Sequence, residues 1–308
     1  MVTTSVTGVS GTGALSASAS EEAVWSLAEE QSVHGESVRA WRRNGAPGAP
    51  RLVLVHGFEE NWDSWLRLGH LLPGYDLTCL DLPWRANNGY RWVHTGSSVT
   101  WLTRALDMLE ERPDVLVGHS FGAVTVLDLL AAGQAHGVRG AALVAPIYRP
   151  HDVATDPQFF GEAIARSRRV LRDGMEVALG ERAGRMSPQL LDRLFRTIVS
   201  RVEPHGFLNL YSTVARNAAQ SLDAVDLPVL IVSGTHDPSA PPAAVEELTR
   251  RLPQSYVHQS AELSHFCQLQ QPDVVATTIA NFLMQQGITH HNQSHDTTHE
   301  TTMEAISA

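Results

Sequence analysis

The sequence predicts an α/β fold, a mostly parallel central sheet flanked by helices, with a helical insert placed over one end. Three observations carry this prediction. Short β-branched apolar runs alternate with amphipathic stretches along most of the chain, as strands and helices do in a parallel sheet. Most of those runs are nearly all apolar, which suits strands covered on both faces. The alternation breaks once, from Tyr148 to about Ala224, where helical periodicity stands without a convincing strand.

Taken in order, residues 1–20 are uncharged and mostly Ser, Thr, Gly, Ala and Val. They lack the basic start and compact apolar centre of a secretory signal and read as a disordered leader. The first part of the core spans residues 21–147, opening with a helix over Glu21–Glu30. Its expected strands are Ser37–Trp41, Arg51–Val55, Asp76–Leu80, Asp114–Val117 and Ala141–Val144, interleaved with helices Trp62–Leu72, Ser98–Glu111 and Gly122–Ala135. Residues 148–224 form the insert, with helices over Phe159–Leu179 and Pro188–Val202. Such a cap would cover a substrate and exclude water. The second part of the core, 225–287, should supply strands Val229–Ser233 and Ser255–Gln259 and helices Pro242–Arg251 and Pro272–Gln286, most opening at Pro, Ser or Gly. Residues 288–308 read as a disordered tail containing His290, His291, His295 and His299. No cysteine or carboxylate cage surrounds those histidines, so a solvated tail is expected and no metal site.

Composition narrows the function classes. The formal charge is −10, from 23 basic and 33 acidic residues, which repels phosphate backbones and anionic bilayers. Nucleic acid and membrane are therefore not expected as partners. Every basic residue is arginine. Without lysine, chemistry built on a lysine amine is excluded. Cys79 and Cys267 are too few for a disulfide framework and read as reduced structural thiols, pointing to a cytoplasmic location. No apolar run approaches the roughly 18 residues of a membrane-spanning helix.

The decisive segment is Asp114-Val115-Leu116-Val117-Gly118-His119-Ser120-Phe121-Gly122-Ala123, an apolar strand entering a G-x-S-x-G turn and then a helix. A sharp turn of this kind strains the serine backbone, and side chains at either glycine would collide with neighbouring backbone. It presents the Ser120 hydroxyl at a helix N-terminus, where amides favour a developing oxyanion. The strand Arg51–Val55 ends in His56-Gly57-Phe58, so the backbone N–H groups of Phe58 and Phe121 are the candidate oxyanion hole. His56 reads as a structural residue of that loop. Ser264-His265-Phe266 follows the last strand and makes His265 the candidate base, ahead of His119, His236 and His258, whose strand contexts do not fit. Asp237, in the Gly234-Thr235-His236-Asp237-Pro238 loop after Val229–Ser233, would fix the His265 tautomer and stabilise its cation.

With Leu54-Val55-His56-Gly57-Phe58 and Asp81-Leu82-Pro83, these motifs make the chain resemble the α/β-hydrolase fold superfamily from about Ser32 to Gln286. The resemblance implies the Ser-Asp-His order of a triad made by Ser120, Asp237 and His265, and no cofactor. It also implies what the chain is not: related dehalogenases and epoxide hydrolases carry an aspartate where Ser120 stands, and hydroxynitrile lyases need a cap lysine. After Asp81-Leu82-Pro83 the sequence departs from the usual short glycine-rich loop, running Trp84-Arg85-Ala86-Asn87-Asn88-Gly89-Tyr90-Arg91-Trp92. Trp84, Tyr90 and Trp92 either line a pocket as substrate-binding residues or pack the loop onto the core.

The leading expectation is hydrolysis of an ester, thioester or similar acyl bond of a small-molecule substrate through an acyl-enzyme on Ser120. Alternatives are acyl transfer or a lyase reaction with His265 as base, and a non-catalytic ligand receptor. The lysine-free composition suggests a G- and C-rich genome, and association then suggests bacterial secondary metabolism. Residues 149–216 hold 11 arginines against 8 acidic residues. That balance either recruits an anionic or carrier-protein-bound substrate or marks a solvated helical face laced with ion pairs.

Overall fold

A computed structural model describes residues 25–289 apart from 136, 151–155 and 203. The expected leader, nearly all of the expected tail and the first residues of the expected opening helix lie outside the described residues. Eight strands form one sheet: β1 Ser26–Val33, β2 Glu36–Arg43, β3 Arg51–Val55, β4 Asp76–Asp81, β5 Val115–His119, β6 Gly140–Val144, β7 Val229–Gly234 and β8 Ser255–Ser260. Their order is β1-β2-β4-β3-β5-β6-β7-β8, with β1 and β2 antiparallel and the strands from β4 to β8 parallel.

The expected helix over Glu21–Glu30 is corrected here, because from Ser26 this stretch is a strand. Val33 pairs with Glu36 across a two-residue turn in which His34 and Gly35 have φ of 52° and 82°. Two positive φ values in succession build the tight hairpin turn whose twist matches that of its strands. The expected helix over Trp62–Leu72 is also shorter, a 3-10 turn at Trp62–Trp65 running into α1 at Leu66–His70. The remaining helices are α2 Ser98–Asp107, α3 Phe121–Ala131, α4 Pro157–Leu179, α5 Pro188–Val202, α6 His205–Ala219, α7 Pro242–Arg251, α8 Cys267–Gln270 and α9 Pro272–Gln285. Among the described residues the stretch between β6 and β7 contains no strand, and α4, α5 and α6 form the insert.

Period-two alternation sends Val53 and Val55 of β3 into one core and Leu52 and Leu54 into the other. The first core also takes Trp84, Trp92 and Trp101 together with Leu210 and Val214 of α6, so the insert is seated on the same face that holds the aromatic loop. Cys79 and Cys267 are buried and unpaired. No described helix is long and apolar enough to cross a membrane.

β3 has β4 on one side and β5 on the other. The chain changes direction of travel there, which opens a crevice at the carboxyl ends of β3 and β5. The loop after β3 and the turn after β5 are therefore neighbours by topology alone.

Candidate active site

Ser120 sits between β5 and α3 with φ 50° and ψ −113°, a left-handed conformation that a serine adopts only under local constraint. The constraint is close packing. A Cβ at Gly122 would lie 2.3 Å from the Val55 carbonyl oxygen, and one at Gly118 2.7 Å from the Ala123 backbone. Only glycine lets the turn approach the end of β3 this closely. The Ser120 N–H donates to the Val144 carbonyl at 2.9 Å, fixing the turn to β6.

The other two candidates come from the ends of β7 and β8. A Cβ at Gly234 would fall 1.9 Å from the Leu263 carbonyl oxygen, so the Asp237 loop and the His265 loop are pressed together at that glycine. The His265 Nδ1–H donates to Asp237 Oδ2 at 2.8 Å, and the Ser120 hydroxyl donates to His265 Nε2 at 3.0 Å. All three residues are buried. Burial alone would raise the Asp237 pKa, but His265 and the Ser239 N–H, which donates to Oδ1 at 2.8 Å, hold it below the usual carboxylate range. The acid therefore stays ionised, and it leaves Nε2 as the lone-pair nitrogen facing Ser120.

The Phe58 and Phe121 rings pack edge to face at 5.6 Å, so the two candidate oxyanion-hole residues are neighbours. Within the Phe58 loop, the Gly57 N–H donates to Glu60 Oε2 and the Glu59 N–H to the Trp84 carbonyl, with the Phe58 N–H between them. The Phe121 N–H opens α3, where the first amides of a helix have no intrahelical acceptor. His56 is a fixed neutral ring: Nδ1–H donates to the Gly57 carbonyl at 2.7 Å and Nε2 accepts the Leu82 N–H at 3.0 Å. Burial lowers its pKa.

Trp84 and Trp92 take the packing alternative left open by the sequence. Both are buried in the core, and the Trp84 indole N–H donates to the His56 carbonyl at 3.1 Å. Rings of this size bury about 150–250 Å² each, which anchors the loop and leaves no indole face for a ligand. Tyr90 is half-buried, stacks on Phe58 at 5.7 Å between centroids, and donates its hydroxyl to Glu59 at 2.6 Å.

The sequence reading missed two features around this site. Glu59 also forms an ion pair with Arg201 of α5, which in turn donates to Asn87 at 2.6 Å. This latch joins the loop after β3 to the insert. On the opposite side Gly174 of α4 lies against the Phe266 ring, where a Cβ would be 2.7 Å from Cζ. The second feature is a buried cluster of Glu60, His119 and Gln268 behind the three candidates. Two adjacent acidic residues in an otherwise apolar strand-end loop are the only trace of either feature in the sequence.

A serine, an imidazole and a carboxylate in series at the carboxyl ends of parallel strands have the arrangement of a serine-nucleophile α/β site. The chain belongs to the α/β hydrolase fold family, whose model matches residues 50–272. It is 32% identical over 167 residues to the dihydrolipoyllysine-residue acetyltransferase component of the acetoin cleaving system of Cupriavidus necator, a match covering 53% of this chain and 43% of that protein. It is 35% identical over 97 residues to the lipase LipV of Mycobacterium tuberculosis, covering 30% and 35%. The chain thus spans less than half the length of these curated relatives. A longer match, at 23% identity over 288 residues and covering 86% and 85%, is to a human monoacylglycerol lipase. Among solved structures it resembles an enol-lactonase from Burkholderia xenovorans at a TM-score of 0.56 and 18% identity, covering 83% of this chain and all of that one. The thioesterase domain of the curacin biosynthetic pathway matches at 0.56 and 15% identity, covering 83% and 99%.

Proposed function

We propose that this protein hydrolyses an ester, thioester or related acyl bond of a small-molecule substrate, with Ser120 as nucleophile. The observation that carries the reading is the continuous buried chain from Ser120 Oγ through His265 to an ionised Asp237. Ser120 Oγ attacks the acyl carbon while its proton passes to His265 Nε2, and Asp237 stabilises the imidazolium. The Phe58 and Phe121 amides receive the oxyanion. The leaving group takes the proton from Nε2, and a water activated by the same nitrogen then releases the acid from Ser120.

Burial of Ser120 and His265 means that substrate enters when the insert moves, and the Arg201–Glu59 latch is the contact such a movement breaks. Cap arginines in ion pairs, Arg172 with Glu176 and Asp192 and Arg185 with Glu181, support the solvated-face reading of the insert rather than recruitment of a charged carrier. The narrower placement in bacterial secondary metabolism draws on the lysine-free composition and on the fold shared with the curacin thioesterase domain. Acyl transfer by the same residues is the second reading, favoured by the acetyltransferase relative. A fluorophosphonate probe tests the nucleophile: the wild type should be labelled on Ser120 and Ser120→Ala should not. Labelling that persists in Ser120→Ala rejects the assignment.

A further inference from the structure

Directly behind the three candidate residues lies a second buried acid–histidine arrangement that the proposed reaction does not use. The His119 side chain is fully buried and that of Glu60 is 10% exposed. The Glu60 carboxylate accepts the Gly57 N–H at 2.9 Å, the Gln268 amide at 3.2 Å and His119 Nδ1–H at 3.0 Å. On the other edge of the ring, His119 Nε2 lies 2.8 Å from the backbone carbonyl oxygen of His265. Gln268 Nε2 also lies 3.1 Å from His119 Nδ1, a hydrogen bond into the ring if Nδ1 is unprotonated and a contact between two donors if it is protonated.

A carbonyl and an ionised carboxylate only accept hydrogen bonds. Two such partners, one on each ring nitrogen, favour protons on both nitrogens over a neutral ring that would accept the Gln268 amide at Nδ1 and set its lone pair against the carboxylate. His119 is then an imidazolium, and Glu60 is its counter-ion. Burial of the ring works against this charge, but the charge and hydrogen bond of Glu60 outweigh it, with Asp237 adding to the effect, so the His119 pKa is raised. Glu60 is lowered correspondingly, burial being outweighed by His119 and the Gly57 amide, with His56 also contributing. Around the ring pack His265 at 5.3 Å, Phe266 at 5.8 Å and Trp65 at 6.4 Å between centroids. His265, Glu60 and Asp237 are thus the titratable groups facing it. A desolvated charge pair with good geometry is costly to break from one side, which makes it a stiff connector.

We infer that Glu60 and His119 are positioning residues that lock the oxyanion loop, the Ser120 turn and the His265 loop into one rigid unit. The pair touches three separate chain segments at once: Gly57 beside Phe58, His119 beside Ser120, and the backbone of His265 itself. It contacts no atom that reacts. This inference rests on the serine-hydrolase reading and extends it, since a displaced His265 backbone would misplace Nε2 relative to Ser120. Misplacement of catalytic groups by about 1 Å costs roughly 100-fold in rate.

The test compares wild type, Glu60→Gln, His119→Ala and His119→Gln by fluorophosphonate labelling, ester turnover and 15N NMR of the imidazole rings. Labelling and kcat should fall together by about 10- to 100-fold in Glu60→Gln and His119→Ala, with KM within about 3-fold. His119→Gln, whose amide restores a donor to the His265 carbonyl, should recover at least about 10-fold over alanine. In wild type, the resonances that vanish in His119→Gln should titrate above the ordinary imidazole value, with both ring nitrogens protonated below that transition. Unchanged labelling rates, equal losses in alanine and glutamine variants, or a His119 ring that titrates at or below the ordinary imidazole value would each overturn the inference. Should a variant fail to fold, the wild-type ring signal, assigned by its slow exchange and its contact to the His265 carbonyl segment, still decides. A wild type that the probe does not label defeats the serine reading instead, and the ring protonation is read independently of it.

Discussion

At Ser120 the chain adopts a backbone conformation that costs of order 1–3 kcal/mol. It is held there by the glycine-only approach of Gly122 to the end of β3 and by the bond from Ser120 N–H to Val144. The strain aims the hydroxyl at His265 Nε2, and Asp237 fixes which nitrogen that is. Replacing Asp237 by Asn keeps the volume and the hydrogen-bonding capacity but removes the charge that stabilises the His265 cation. Asp237→Asn is therefore expected to fold, with an unchanged circular dichroism spectrum, and to lose about three to four orders of magnitude in kcat. Activity within a few-fold of wild type would assign the acid elsewhere. Ser120, Asp237 and His265 were legible as candidates because each lies in a turn or loop shortly after an expected strand, apolar before Ser120 and Asp237 and mostly polar before His265. Glu60 and His119 were not, because a buried charge pair is defined by a partner distant in sequence and leaves no periodic mark. The sequence offers His119 only as a possible base, whereas its ring nitrogens face the Glu60 carboxylate and the His265 carbonyl, and no hydrogen bond joins it to Ser120 Oγ.

Between elements, the sequence resolved buried strands better than edges. β3, β5, β6 and β7 are apolar on both faces and match the expected spans to within a residue or two. β1 is mostly exposed, and its polar run reads equally well as a helix until the His34-Gly35 turn is recognised as a hairpin. The seat of α6 on α3 supplies a testable pH dependence. Asp128 of α3 faces Arg216 of α6 at 3.5 Å, with 6% of its side chain exposed. Burial pushes its pKa up to about 6, and Arg216 offsets only part of that. A carboxyl that holds its proton more tightly in the folded state than in the unfolded chain costs stability as pH rises through the interval between the two values. Stability should therefore decline between about pH 4 and pH 6 by an amount on the order of 3 kcal/mol from this group. Asp128→Asn removes the cost, and the ion pair that it gives up leaves a half-exposed Arg216 free to be solvated. Its Tm should exceed that of wild type by several degrees at about pH 7.5, and the difference should vanish near pH 4. Equal Tm values at both pH values would mean that Asp128 is effectively solvated or fully compensated.

At the scale of the whole molecule, sheet order brings the ends of β3, β5, β7 and β8 to one rim, and the insert closes over it. The family match across residues 50–272 and the shared fold of lactonase and thioesterase structures agree with that architecture. The aromatic loop after β4 shows where sequence stops being informative. Trp84 and Trp92 have the composition of a binding surface, and only the packing around them shows that they anchor the loop in the core. What the molecule does with its rim reduces to whether Ser120 becomes covalently acylated. Rapid-quench mass spectrometry of the wild type with an acyl ester measures this directly. The account predicts an acyl mass increment on the peptide holding Ser120 within the first turnover, absent in Ser120→Ala and released afterwards as free acid. Product formed at a near-normal rate by Ser120→Ala, while His265→Ala is inactive, would contradict it and leave His265 as the base of a proton-abstracting reaction.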